Sequence, residues 1–181
     1  MMQSEGAIIE LCHVTRNLDA ALEHWTRDLG AGPFFVFDVP VLPGQLHYGR
    51  PTEVSMRVGF GFSGGVLIEL LQQTNEGASP FRDFLEEHGE GLHHVMPRCD
   101  FEDGYRKLSA AGHEVAYAGQ MPSGERFCLF DTRTVNGAYV ELMELSDAML
   151  GSLSLMEKAH ANWDGVTDPI RPMSRLAEFA D

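Results

Sequence analysis

Two stretches of this chain place a glutamate inside an apolar, strand-like run. They read Val66-Leu67-Ile68-Glu69-Leu70 and Ala138-Tyr139-Val140-Glu141-Leu142, each preceded by a glycine. Upstream of each stands a histidine–valine pair, His13-Val14 and His94-Val95. A buried carboxylate on such a strand is costly unless something compensates its charge. Two imidazoles and two carboxylates in corresponding places suit a divalent cation, and they leave about two positions of an octahedral ion open for water or a chelating substrate. The predicted ligands are therefore His13, Glu69, His94 and Glu141. Side-chain alternation lets only one of His93 and His94 face the ligand side, and the register with His13-Val14 selects His94. His93 is expected to be partly buried or to support the ligands from behind. Tyr139 shares a face with Glu141 and is expected to line the site.

The elements that must hold these residues repeat. Ile8 to Val14 reads as a strand, and Asn17 or Asp19 can cap a helix over 18–29, where Leu18, Leu22, Trp25 and Leu29 recur at helical spacing. Gly30 and Gly32-Pro33 end it. Strands follow at 34–39, 53–62 and 66–72, with a Pro- and Gly-rich loop at 40–52. A link containing a short helix from Pro80 to His88 joins the two copies. The second copy then reads as a strand at 92–98, a helix at 101–111 capped by Asp100, and strands at 113–118, 126–131 and 138–145. Both copies read strand, helix, strand, strand, strand, and this self-similarity matters more than any one motif. His13 precedes Glu69 by 56 residues and His94 precedes Glu141 by 47, a difference mostly explained by the 40–52 loop. The fold class is α+β, with modules at about 8–73 and 92–146 in one domain (1–146). A C-terminal extension, 147–181, follows; it is expected to be helical from Asp147 to Asn162, capped by Ser146, and to serve as a packing or dimer-contact element, with a lid over the site as the lesser reading.

Composition sets outer limits. A formal net charge of −14 argues against nucleic acid or an anionic membrane as partner. No run of about 18 apolar residues marks a membrane span, and the N-terminus shows no basic-then-apolar leader. Cys12, Cys99 and Cys128 lack metal-finger spacing and are expected to be reduced core residues, so a cytoplasmic location is expected. His24, His88, His113 and His160 are expected to be solvated or packing residues. His47 and Tyr48, in the long loop, are candidates to reach a substrate. Phe34, Phe35, Phe37, Phe60, Phe62 and Tyr117 suit an apolar ligand or a core equally well.

The motifs resemble those of the vicinal oxygen chelate superfamily, which includes glyoxalase I, methylmalonyl-CoA epimerase and extradiol dioxygenases. The resemblance covers roughly residues 8–146. It rests on His13-Val14 followed by Leu18-Asp19-Ala20-Ala21-Leu22, on Ile68-Glu69-Leu70, on the stretch from Phe84 to Val95, and on Val140-Glu141-Leu142. The Gly89-Glu90-Gly91-Leu92-His93-His94 segment looks most like the epimerase branch, although Glu69 stands where such epimerases often carry glutamine. The resemblance implies paired βαβββ modules in a cupped open barrel, one divalent ion (Ni, Co, Mn, Zn or Fe) and a homodimer. It carries the ligand roles over to His13, Glu69, His94 and Glu141. It also implies a substrate bound through neighbouring oxygens, an enolate stabilised by the metal, and a glutamate base: Glu141 or Glu69, with Glu53 the nearest counterpart of a further glutamate. An epimerase or isomerase of an acyl compound is the first expectation. A glyoxalase-type lyase, a non-catalytic binding or resistance protein and an extradiol-type dioxygenase follow in that order.

Overall fold

The computed structural model describes residues 4–180. Met1–Gln3, the start of the segment read above for a leader, and Asp181, the end of the tail, lie outside it. The first copy comprises β1 (Ile8–Val14), α1 (Leu18–Glu23, continued by a wider turn over His24–Asp28), β2 (Phe34–Val39), β5 (Met56–Ser63) and β6 (Val66–Gln73). The second comprises β7 (Gly91–Pro97), α3 (Phe101–Ala110), β8 (Val115–Gln120), β9 (Arg126–Phe130) and β10 (Tyr139–Met143). The 40–52 loop holds two short strands, β3 (Leu46–His47) and β4 (Arg50–Pro51). The link carries α2 (Pro80–Glu87), a short α4 (Arg133–Asn136) precedes β10, and the tail forms α5 (Asp147–Ala161), β11 (Ile170–Pro172) and a 3-10 turn over Met173–Phe179.

All eleven strands join one curled sheet in the order β11-β2-β5-β6-β1-β7-β10-β9-β8-β3-β4. The repeat is visible in this order. β2-β5-β6-β1 mirrors β8-β9-β10-β7, and the two halves meet where β1 pairs antiparallel with β7. The unrepeated pieces extend the outer edges: β11 lies parallel to β2, and the β3–β4 hairpin pairs with β8.

Capping places the helices, at Asn17, Asp100 and Ser146 as the sequence predicts and at Ser79 as an addition. Asn17, Ser79, Asp100 and Ser146 each accept a hydrogen bond from a backbone N–H of the first turn of α1, α2, α3 and α5. Each repeated helix covers the convex face of its half. Leu18 and Leu22 of α1 pack with Phe34, Ile68 and Leu70, while Phe101 and Leu108 of α3 pack with Cys128, Phe130 and Leu142. The concave face carries Cys12, Val14, Met56, Val58, Leu71, Tyr117, Phe127 and Leu129. The tail packs on the first module's side of that face: Met156 and Ala159 of α5 and Leu176 pack on Phe35, Phe62 and Leu67. Met149, Leu153 and Met156 of α5 also border the cavity in that face.

Candidate metal centre

Strand register decides which side chains enter the cup. Residues that face each other across a ladder share a side of the sheet. Cys12 is opposite Glu69 on β6 and His94 on β7, so the concave residues of β1 are Glu10, Cys12 and Val14. His13 is opposite Leu70, which packs on the convex side under α1. The expected ligand set is therefore corrected at one position. His13 lies edge-on to Trp25 with ring centroids 5.0 Å apart, among residues of α1, and is not part of the cluster.

Glu10 takes its place. One oxygen or nitrogen from each of Glu10, Glu69, His94 and Glu141 lies within 4.8 Å of all the others. His94 Nε2 is 3.6 Å from Glu10 Oε1, 3.2 Å from Glu69 Oε2 and 3.1 Å from Glu141 Oε2. The internal repeat explains the exchange. Glu10 pairs with Leu67 and His94 with Tyr139, each two residues before the glutamate of its own module. The true counterpart of His94 is thus Glu10, which precedes Glu69 by 59 residues. The signal was in the chain: Glu10 interrupts an apolar strand just as Glu69 and Glu141 do.

The cluster fits a divalent ion. All four residues are buried, at 8% exposure or less. Among the described residues lining the cavity above them, none is Lys or Arg. His94 Nε2 makes no well-formed hydrogen bond although three carboxylates surround it. Three buried carboxylates facing one imidazole are unstable without a cation to balance them. Metal–oxygen distances of about 2.0–2.2 Å put opposite ligands a little over 4 Å apart, close to the spread of this cluster. Burial, followed by the nearby Glu141 charge, raises the Glu10 carboxyl, while the neighbouring His94 opposes the rise. Burial works against a charged His94, yet the surrounding carboxylates, Glu141 and Glu10 among them, outweigh it and raise its pKa well above the usual value. A bound cation would replace that proton. Cys12 Sγ lies at the edge of the cluster, and burial together with Glu69 keeps it a thiol by raising its pKa.

His93 supports His94 directly. A register shift between β1 and β7 leaves Leu92 opposite His13 and His94 opposite Cys12, so His93 sits in a bulge. The bulge, which strict alternation does not anticipate, brings both rings together, with His93 Nδ1 2.9 Å from His94 Nδ1. Burial and the neighbouring His94 lower the pKa of His93 well below the usual value, so it stays neutral. With His94 Nδ1–H donating to His93, the Nε2 lone pair of His94 is free for a cation, the arrangement typical of metal-binding histidines. His93 itself stacks on Tyr139 at 4.6 Å and touches Phe81 and Phe84. The variant His93→Phe is expected to keep this aromatic packing yet bind metal about 10–100-fold more weakly. Competition with a chromophoric chelator measures the change, and an unchanged affinity would show that His94 needs no partner.

The remaining candidates lie elsewhere. Tyr139 is wholly buried behind His93, with the Arg133 guanidinium 4.7 Å from its ring, and does not line the cavity. Tyr48 donates to Asp131 Oδ2 at 2.7 Å, and His47 Nε2 meets Asp83 Oδ2 at 3.0 Å; both belong to the outer hairpin. Glu53 is exposed and its carbonyl accepts from Asn75 Nδ2. Of the aromatics weighed as ligand contacts, Phe37, Phe60 and Tyr117 line the cavity. The lining residues that sequence reasoning missed include Met149, Leu153 and Met156 of α5, because a tail without a repeat partner has no register to follow.

Comparison with known proteins matches this fold. The model of the Glyoxalase/Bleomycin resistance protein/Dioxygenase superfamily matches residues 11–130. The uncharacterized protein YqjC of Bacillus subtilis is 30% identical over 102 residues, 55% of this chain and 72% of that protein. The crystal structure of methylmalonyl-CoA epimerase from Mycobacterium tuberculosis has a TM-score of 0.55 at 18% identity, covering 83% of this chain and 97% of that one. A Streptomyces coelicolor methylmalonyl-CoA epimerase variant in complex with 2-nitronate-propionyl-CoA has a TM-score of 0.51 at 21% identity, covering 77% and 97%. At these identities the structural likeness speaks for the fold.

Proposed function

Because the chain belongs to the glyoxalase/bleomycin resistance/dioxygenase superfamily, we propose that it is a metal-dependent isomerase that moves a proton at a carbon beside a carbonyl. The observation that carries this reading is the convergence of Glu10, Glu69, His94 and Glu141 at the base of an otherwise apolar cavity. These four residues would hold the ion. Three carboxylates and one imidazole favour a hard, oxygen-seeking cation such as Mn²⁺ over a thiolate-seeking one. Such an ion supplies Lewis acidity at two neighbouring substrate oxygens and lowers the cost of removing the adjacent C–H proton.

The chain's own residues do the rest. Glu69 arrives from β6 and Glu141 from β10, on opposite sides of the β1–β7 seam. One carboxylate oxygen takes the proton from one face of the carbon and the other returns a proton to the opposite face, which inverts the centre. The apolar walls exclude water and strengthen each electrostatic contact inside. Three carboxylates against one divalent ion leave a charge of −1, so the oxygens that bind best are neutral ones. With no Lys or Arg lining the cavity, a phosphate-bearing group has no partner there. This separates the proposal from a substrate with a free carboxylate or buried phosphates. An extradiol-type reading loses ground, because the set supplies one imidazole where that chemistry uses two.

Proton movement is directly measurable. Metal-loaded protein in D₂O is expected to wash deuterium into neutral branched 2-oxo esters and α-hydroxyketones at the carbon beside the carbonyl. Exchange should stop on chelation and in Glu141→Gln. Metal-loaded protein that binds these compounds yet exchanges no proton would instead assign a binding role, the second reading that an apolar cavity favours.

A further inference from the structure

The cavity above the cluster encloses about 360 Å³. That is at the small end of the range for pockets taking small organic molecules. Its walls are specialised. The chain has nine methionines, and the seven beyond Met1 and Met2 all line this one cavity: Met56, Met96, Met121, Met143, Met149, Met156 and Met173. A methionine side chain is unbranched, polarizable and free to re-pack, so a wall built from it adapts to differing apolar shapes. The seven come from β5, β7, the loop after β8, β10, α5 and the turn after β11, so no single element's amphipathicity explains their convergence. Beyond the Glu10, Glu69, His94 and Glu141 cluster, the polar side chains in the lining are Ser152 and Tyr117. Tyr117 is 1% exposed and its hydroxyl has no hydrogen-bond partner.

We infer that this site takes a neutral, predominantly hydrocarbon ligand, a flexible or branched acyl chain or an aromatic ring, with its two oxygens directed at the Glu10–Glu69–His94–Glu141 end. The ligand class follows from the walls. The orientation alone rests on the metal-centre reading above. The C-terminal extension is the specificity element, because α5 and the turn after β11 place Met149, Leu153, Met156 and Met173 in the cavity wall. The unpaired Tyr117 hydroxyl offers one further donor to a ligand that carries a third oxygen.

Two probe series test this and keep it distinct from the metal reading. One is the straight-chain alkyl hydroxamates from two to eight carbons, which chelate. The other is the matching primary alcohols, which do not. Each is titrated into the full chain with and without Mn²⁺. The expected result is one site per chain and an affinity that rises about fourfold per added methylene in both series, equivalent to about 0.8 kcal/mol each. The rise should level off once the chain outgrows the cavity. The variants Leu153→Gln and Met156→Gln, checked by circular dichroism, are expected to flatten the rise. Affinities independent of chain length in the unaltered protein would overturn the inference whatever the variants do. A rising alcohol series with no Mn²⁺ effect on the hydroxamates would uphold the ligand class and sink the metal centre. A Mn²⁺-dependent hydroxamate affinity that ignores chain length would do the reverse.

Discussion

Glu10→Gln is expected to remove metal binding at working concentrations, a larger loss than the 10–100-fold typical of losing an outer-shell partner. Neutral amide oxygen cannot replace a carboxylate in balancing a divalent ion, and the two carboxylates that remain must share it with His94. Turnover should fall with the metal. Stability is expected to move the other way in the metal-free protein. Glu10 is buried beside Glu69 and Glu141 with only His94 to offset the three, so removing one charge relieves repulsion and raises the melting temperature of the apo form. The stabilisation that added Mn²⁺ gives the unaltered protein should vanish in the variant, since only binding to the folded state stabilises. His13→Ala is the matched control and should retain a full equivalent of metal, because His13 lies on the convex side against Trp25. Elemental analysis and thermal unfolding with and without Mn²⁺ give both readouts. Metal retained in Glu10→Gln and lost in His13→Ala would reverse the assignment of the fourth ligand.

A second large effect is expected far from the cluster, at Gly77. A Cβ there would stand 1.8 Å from the carbonyl oxygen of Glu53 and 2.8 Å from its carbon. Both are backbone atoms, so no side chain can swing aside. The same seam is fastened on every side. Asn75 Nδ2 donates to the Glu53 carbonyl at 2.9 Å, Gln73 Nε2 donates to the Gly77 carbonyl at 2.7 Å, and the Gln45 side chain bonds both backbone groups of Val54. This knot braces the 40–54 segment, whose Leu42 lines the cavity. Gly77→Ala is expected to cost at least the ~3 kcal/mol that marks the upper end of ordinary overpacking. For a chain of this size that lowers the melting temperature by roughly 6–12 °C. A melting temperature within about 2 °C of the unaltered protein would show that the seam yields cheaply.

The repeat carried most of the fold. Helix caps at Asn17, Asp100 and Ser146 and the matched strand runs are local chemistry, and each appears where the residues place it. Glu69, Glu141 and His94 were legible because a charge on an apolar strand needs a partner. His13 misled because the two His-Val pairs look alike while standing one residue apart in phase with respect to the cup. A period of two turns any odd offset into the wrong face. The same test that singled out Glu69 and Glu141 applies to Glu10 in Ile8–Val14, and the type of residue, glutamate where a histidine was sought, concealed it. His93 was obscured by the bulge, which depends on pairing with β1 and leaves no local mark. The surface on which α5 packs was out of reach for another reason. Its contacts with Phe35, Phe62 and Leu67 are long-range, and nothing within 147–161 says which apolar surface it will meet.

The two pieces that lengthen the sheet also close it to further growth. β4 is two residues long and reads Arg50-Pro51, and β11 is three residues long and ends on Pro172. Proline cannot donate to a neighbouring strand, and short charged edges resist strand-to-strand association. Without them, the six-residue strands β2 and β8 would present open edges on either side of an eight-stranded core. Runaway polymerisation by edge pairing is therefore disfavoured at both ends of the sheet.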